Sequence, residues 1–96
     1  MKYTLRLYIT GQSGHSQRAV RNLERICRKD LNGNYKLEVV DVLEEPERAD
    51  ADKILATPTL IKELPLPLRK LIGDMSDRER VLVGLDVERA EGNEDE

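Results

Sequence analysis

The sequence predicts one α/β domain whose elements run βαβαββα around a mixed sheet. Three observations carry that expectation. Residues 2–9 alternate polar and apolar side chains and are rich in strand formers. A helical repeat over residues 16–30 follows, and residues 35–43 return to a strand-like run. Strand, helix and strand in that order form a unit with parallel pairing and a right-handed crossover. The 96 residues suffice for one modest core and not for two.

In the first strand Tyr3, Leu5, Leu7 and Ile9 share one face, and Thr4, Arg6 and Tyr8 the other. Gly11-Gln-Ser-Gly-His-Ser16 is a loop, with Ser16 expected to cap a helix that runs to about Asp30. On that helix Ala19, Val20, Leu23, Ile26 and Cys27 make the apolar face, and Arg18, Arg21, Arg25 and Arg28 a basic, solvated stripe opposite. Asn32-Gly33-Asn34 ends it with residues that tolerate left-handed geometry. In the strand over residues 35–43, Val39-Val40 and Val42-Leu43 are more apolar than simple alternation, which predicts a central strand covered on both faces. Pro46 opens a short helix reaching Lys53 or Leu55. Thr57-Pro-Thr-Leu-Ile61 is a short strand entered through a proline. Leu64-Pro-Leu-Pro67 must be a turn or an extended link, because neither proline can donate to a ladder.

Two C-terminal segments admit two readings each. Residues 68–72 place Leu68, Lys70 and Ile72 on one side of a strand, or join Leu68, Leu71 and Ile72 on a helical turn. Residues 76–87 offer Ser76 and Glu79 as a capping box, with Val81, Leu82 and Leu85 on one helix face. As a strand the same residues put Val81, Val83, Leu85 and Val87 on one side. The capping box tips the balance towards a C-terminal helix extending into residues 88–90. The plain reading of residues 76–87 is a short amphipathic helix at the domain end; the sharper one is that two packings lie within a few kcal/mol of each other.

With no Trp or Phe, the aromatics are Tyr3, Tyr8 and Tyr35, so the core must be built from Leu, Ile and Val. Net charge is −3, but residues 88–96 hold five acids against one arginine and leave residues 1–87 at +1. The domain is therefore expected over residues 1–87, followed by an acidic tail without apolar periodicity. Nucleic-acid binding is not expected without a basic domain or an aromatic platform. There is no apolar run of membrane-spanning length and no signal-peptide h-region, and the one cysteine, Cys27, fits a reducing cytoplasm.

The order of elements, with Thr57-Pro58 leading into the third strand, is the layout of a thioredoxin-like domain. In such domains a redox dithiol sits between the first strand and first helix. Here that loop holds Ser13-Gly-His-Ser16, and a serine hydroxyl ionises too weakly to exchange with disulfides. Cys27 lies on the apolar helix face, as a small hydrophobe. His15 is the one histidine, so neither a paired-histidine metal site nor a well-oriented Ser-His dyad is expected. No Gly-Lys-Ser/Thr phosphate loop is present. Neither catalytic residues nor a cofactor are expected.

Six blocks give a more specific likeness: Tyr3-x-Leu-x-Leu-Tyr-Ile, Val39-Val-Asp-Val-Leu, Asp52-Lys-Ile-Leu-Ala-Thr-Pro-Thr-Leu, Leu64-Pro-x-Pro-x-Arg, Ile72-Gly-Asp-x-Ser-x-Arg-Glu and Val81-Leu-x-Gly-Leu-Asp. In this order and spacing the chain resembles the KaiB family of bacterial circadian-clock proteins. The resemblance implies a non-enzymatic regulator that binds the KaiC ATPase ring, with KaiA and clock output kinases as further partners. It also implies two folds: a thioredoxin-like βαβαββα monomer that binds KaiC, and a tetrameric ground state ordered βαββααβ. Binding would use residues 35–53, with Lys36, Glu38, Val40, Asp41, Glu47 and Lys53 as contacts. Tyr3, Gly84 and Asp86 match positions that influence the switch, and Pro58, Pro65 and Pro67 match prolines of the switching region.

One departure bears on partners. Glu38 stands where the family usually places a lysine, and a charge reversal on a partner-facing strand weakens the original contact. That puts KaiA or a clock histidine kinase in doubt and affects KaiC less. Two other functions suit the fold: a glutathione-using thioredoxin-like enzyme with Ser13 or Ser16 polarising the thiol, and a sensor-domain fragment of a clock-associated histidine kinase. The first lacks a helical substrate domain, and the second a kinase domain.

Overall fold

β1 (Tyr3–Ile9) runs through the middle of a four-stranded sheet, with β2 (Tyr35–Asp41) parallel to it on one side and β3 (Thr59–Leu64) antiparallel on the other. β4 (Arg69–Ile72) pairs antiparallel with β3, giving the order β2-β1-β3-β4. The helices are α1 (Gly14–Asp30), α2 (Pro46–Ala51) and α3 (Arg78–Gly84), so the elements follow the expected βαβαββα order. The structure is a computed structural model and describes residues 2–87. The expected tail and any continuation of α3 into residues 88–90 lie outside the described residues.

The pleat of β1 and β3 sorts the core into two layers. Leu5, Leu7 and Leu60 point to one face, where Ala19, Leu23, Ile26 and Cys27 of α1 and Val81 and Leu82 of α3 cover them, with Leu85 just beyond. Tyr8 and Ile61 point to the other, where they meet Val40 of β2 and Ala49 of α2. Burying an aliphatic side chain of this size contributes roughly 1.5–3 kcal/mol, so the larger α1–α3 layer supplies most of the stability. Burial among these residues pushes the Cys27 thiol up to about 12, so the sulfur is a packing atom and not a nucleophile.

Several expectations are corrected. The strand expected to be central, residues 35–43, ends at Asp41 and lies at the sheet edge. Its apolar run is surface: Val39 and Leu43 are exposed, and of the pair Val39-Val40 only Val40 is buried. The cap of α1 is Ser13, whose Oγ accepts from the Ser16 amide at 3.2 Å. Ser16 is itself buried, its Oγ accepting from the Thr10 amide at 3.0 Å. α2 ends at Ala51, because Lys53 takes a left-handed φ of 56°. The third strand begins at Thr59 and runs on to Leu64.

Both ambiguous segments take one form here. Residues 69–72 are strand and residues 78–84 helix. The cap of α3 is Asp77, accepting from the Arg80 amide at 3.1 Å, and not Ser76. Ser76 instead donates its amide to Asp74, whose carboxyl is lowered chiefly by the hydrogen bonds from Ser76.

Candidate functional site

The face of the sheet under α2 carries a polar network drawn from five elements and loops. Arg6, projecting from β1, donates to Asp52 at 2.9 Å and to Glu63 of β3 at 3.0 Å. Its Nε is buried 3.5 Å from Glu38 of β2, without a hydrogen bond of its own. Tyr8, fully buried two residues along β1, donates to Asp52 at 2.5 Å, and its hydroxyl lies 3.2 Å from the Arg48 carbonyl. Burial and then the Asp52 hydrogen bond raise the Tyr8 phenol above its ordinary value, so it stays a neutral donor. Lys70 of β4 donates to the Asp52 carbonyl at 2.5 Å. Asp52 thereby fixes the C-terminal end of α2 to the sheet.

Arg48 of α2 forms a two-pronged bond with Glu38, at 2.6 and 2.8 Å. This bond, more than any other contact, holds the Glu38 carboxyl down to about 2. An ordinary glutamate titrates near 4.3, so the pair's contribution is complete above about that pH and is lost as pH falls towards 2. Glu38 is half exposed, which makes the contribution small and salt-screened. The expected result is that Glu38→Gln has a lower Tm than the wild type at pH 6 and an equal one near pH 2, in low salt. A difference that persists into strong acid would assign it to something other than this ion pair.

The six expected contact residues do not form one exposed set. Lys36 and Glu38 point outwards from edge strand β2, and Glu47 and Lys53 are exposed on and just after α2. Val40 is buried against Ala49, and Val39 is the exposed apolar residue. Asp41 is committed locally, accepting from the amides of Gly11 at 3.1 Å and Leu43 at 2.9 Å. Leu43 and Leu55 add large exposed apolar surface beside a shallow cleft of about 200 Å³ lined by Thr10, Val42, Ala49, Ile54, Ala56 and Thr57. Pattern reading missed Arg48, Asp52 and Leu55; Asp52 meets Arg6 and Tyr8 across 46 and 44 positions and Arg48 meets Glu38 across 10, from one element to another, so no local spacing signals them.

The residues expected to influence a second fold lie at the other edge, at the entry to β3 and in the core. Tyr3 packs in the α1–α3 layer. The Thr57–Pro58, Leu64–Pro65 and Leu66–Pro67 peptide bonds are cis. Asp86, at a left-handed φ of 56°, accepts from Arg69 of β4 at 2.7 Å. Gly84 closes α3 over Leu71, and a Cβ there would stand 3.2 Å from a Leu71 methyl. That methyl ends a flexible, half-buried side chain and can yield. Gly84→Ala is therefore expected to stabilise this arrangement by about 0.5–1 kcal/mol, raising Tm by a few degrees. A fall in Tm would show that Leu71 is held too firmly to move.

At the β1–α1 loop, the serine hydroxyls meet each other at 2.8 Å and His15 meets Arg18 at 3.1 Å, so no Ser-His dyad forms. Among the described residues, no cluster of histidine, cysteine or carboxylates is disposed to hold a metal, and no helix is long and apolar enough to cross a membrane.

A profile of the KaiB domain matches residues 6–87. The chain belongs to the KaiB family. The circadian clock protein KaiB3 of Synechocystis sp. is 57% identical over 86 residues, covering 90% of this chain and 84% of that protein. The circadian clock oscillator protein KaiB of Trichodesmium erythraeum is 54% identical over 94 residues, covering 98% and 90%. Solved structures agree on a thioredoxin-like fold. Mitochondrial thioredoxin 3 of Saccharomyces cerevisiae superposes with TM-score 0.71 at 17% identity over 88% of this chain and 77% of that one. The N-terminal domain of Synechococcus elongatus SasA does so with 0.68 at 20% identity over 90% and 78%. This KaiB-family chain is thus described in the thioredoxin-like arrangement, the fold that its sequence pattern predicts.

Proposed function

We propose that this KaiB-family chain is a non-enzymatic clock regulator that binds a KaiC ATPase ring in its thioredoxin-like arrangement, through edge strand β2, helix α2 and the loop after it. The observation that carries this reading is the exposure of Leu43 and Leu55, 69% and 95%, beside the exposed acids Glu44, Glu47 and Asp50. Leu55 adds little to the stability of its own chain, and Leu43 sets one methyl near Gly11 and leaves most of its side chain to solvent. An apolar patch edged with charge is the composition of a docking surface.

The other large exposed apolar residues support a population shift. Leu64, Leu66, Leu68, Ile72 and Val83 all lie in the half that sequence reads two ways. A second, tetrameric packing that covers them would compete with the described one, and a ring that takes the monomeric form would draw the equilibrium over by its differential affinity. For KaiA or a clock histidine kinase, Glu38 argues against an interface built for a lysine, since it offers no cation there; its pairing with Arg48 softens the repulsion without restoring that contact.

The test is to mix the purified chain with a KaiC ring from a cyanobacterium and follow mass by analytical ultracentrifugation. The expected result is a ring loaded with single copies of the chain. A ring that sediments alone at every ratio and incubation time would overturn the proposal.

A further inference from the structure

Lys70 ties the segment that sequence reads two ways to the turn that carries Leu55. On β4 it stands in register with Ile61, which faces the α2 layer. The residues on either side face away: Arg69 meets Asp86 and Leu71 packs under Gly84, both on the α1–α3 side. From that station Lys70 Nζ donates to the Asp52 carbonyl at 2.5 Å, across 18 positions of sequence. The rest of the side chain is exposed, so this bond and not burial gives Lys70 its place.

Asp52 is the residue at which α2 ends and the chain turns. Its carboxylate holds Arg6 and Tyr8, its amide closes on the Arg48 carbonyl, and its own carbonyl receives Lys70. Lys53 then takes a left-handed φ of 56°, and the Ile54 amide turns back to the Ala49 carbonyl at 2.9 Å. Ile54 packs on the α2 layer, and the reversal leaves Leu55 in solvent, 95% exposed. If residues 68–72 took a helical turn, successive side chains would step by about 100° instead of alternating. Lys70 would then leave its station opposite Ile61, and the bond to Asp52 would be lost.

We propose that Lys70 is a positioning residue of the docking surface: its bond to Asp52 sets the turn that presents Leu55 only while residues 69–72 are strand. The surface and the packing of the C-terminal half are then one coupled equilibrium. By linkage, a partner seated on Leu55 favours β4 as strand to the same extent that strand β4 favours the seat. The inference deepens the proposed function and rests on that reading for the identity of the partner. The tie itself is measured on the free chain. Failure to bind a ring and failure of the tie are therefore separate results.

The experiment is amide hydrogen exchange on the full chain, free and with the KaiC ring, for wild type, Lys70→Met and Lys70→Arg. Methionine keeps an apolar stem and removes the donor, whereas arginine keeps a cationic donor. In the free chain, Lys70→Met is expected to speed exchange at the amides of Asp52, Lys53 and Ile54 about three- to tenfold, with α1 and β1 unchanged. Lys70→Arg should restore most of that protection. On the ring, Lys70→Met should bind about three- to tenfold more weakly, and the slowing that binding brings to β4 should shrink. Unchanged exchange at residues 52–54 of free Lys70→Met overturns the proposal. Faster exchange spread equally over α1 and β1 overturns it too, because that is a general loss of stability. Equal exchange in the two variants does the same, since the donor is then not the cause, and so does a ring that binds wild type and Lys70→Met equally.

Discussion

Asp52→Ala is expected to lower the stability of this chain by about 2 kcal/mol, a fall of roughly 10 °C in Tm for a domain of this size. The substitution removes the acceptor of Arg6 at 2.9 Å and of the Tyr8 hydroxyl at 2.5 Å, and both groups are largely buried. Arg6 keeps Glu63 and the more distant Glu38, but its Nη1 loses its acceptor, and the phenol keeps only its contact with the Arg48 carbonyl. The asymmetry between making a hydrogen bond and leaving its partner unsatisfied sets the size of the effect. Asp50→Ala, on the exposed side of the short helix that Asp52 caps, is the control and should leave Tm nearly unchanged. Equal effects of the two would mean that Asp52 matters through α2 propensity rather than through the network.

The second large effect is on binding. Leu43→Ser with Leu55→Ser is expected to leave Tm within about the change that half a kcal/mol produces, because Leu55 is almost wholly exposed and Leu43 is mostly exposed, with one methyl near Gly11. On the KaiC ring the same pair should weaken affinity at least tenfold and up to about a hundredfold, the magnitude of apolar anchors at an interface core. The separation of the two readouts is the point. A variant with unchanged Tm and unchanged ring affinity would remove Leu43 and Leu55 from the surface, and with them the feature on which the proposed interface rests.

Much of the fold was legible because β1 and α1 have strong, long periodicities: Leu5 and Leu7 against Ala19, Leu23 and Ile26 define the main layer from sequence alone. The C-terminal half was legible only as a choice. Residues 69–72 and 78–84 are too short for periodicity to decide, and the decision comes from tertiary contacts, Leu71 beneath Gly84 and Arg69 with Asp86. The misplacement of β2 has a simple physical origin. An apolar run signals burial on both faces or an apolar surface with equal strength, and Val39 and Leu43 are surface. The caps moved for a similar reason, since Ser13 and Asp77 each sit three residues from the amide they accept, a spacing that Ser16 and Ser76 also offer on paper.

The site was legible in part. Glu38 stood out by its charge, yet its meaning came from Arg48, ten residues away on another element. The pair turns what reads as a repelling carboxylate into a neutralised one. Arg6, Tyr8, Asp52 and Glu63 gave no sign of belonging together, because nothing in a sequence reports on contacts 44 to 57 positions apart.

The central claim is that the thioredoxin-like arrangement meets the KaiC ring through β2, α2 and the loop carrying Leu55. Hydrogen exchange on the chain bound to the ring, compared with the free chain, tests it most directly. The account predicts new protection across residues 36–55, with the amides of α3 still protected as a helix. New protection confined to the basic face of α1, with residues 36–55 exchanging as in the free chain, would contradict it.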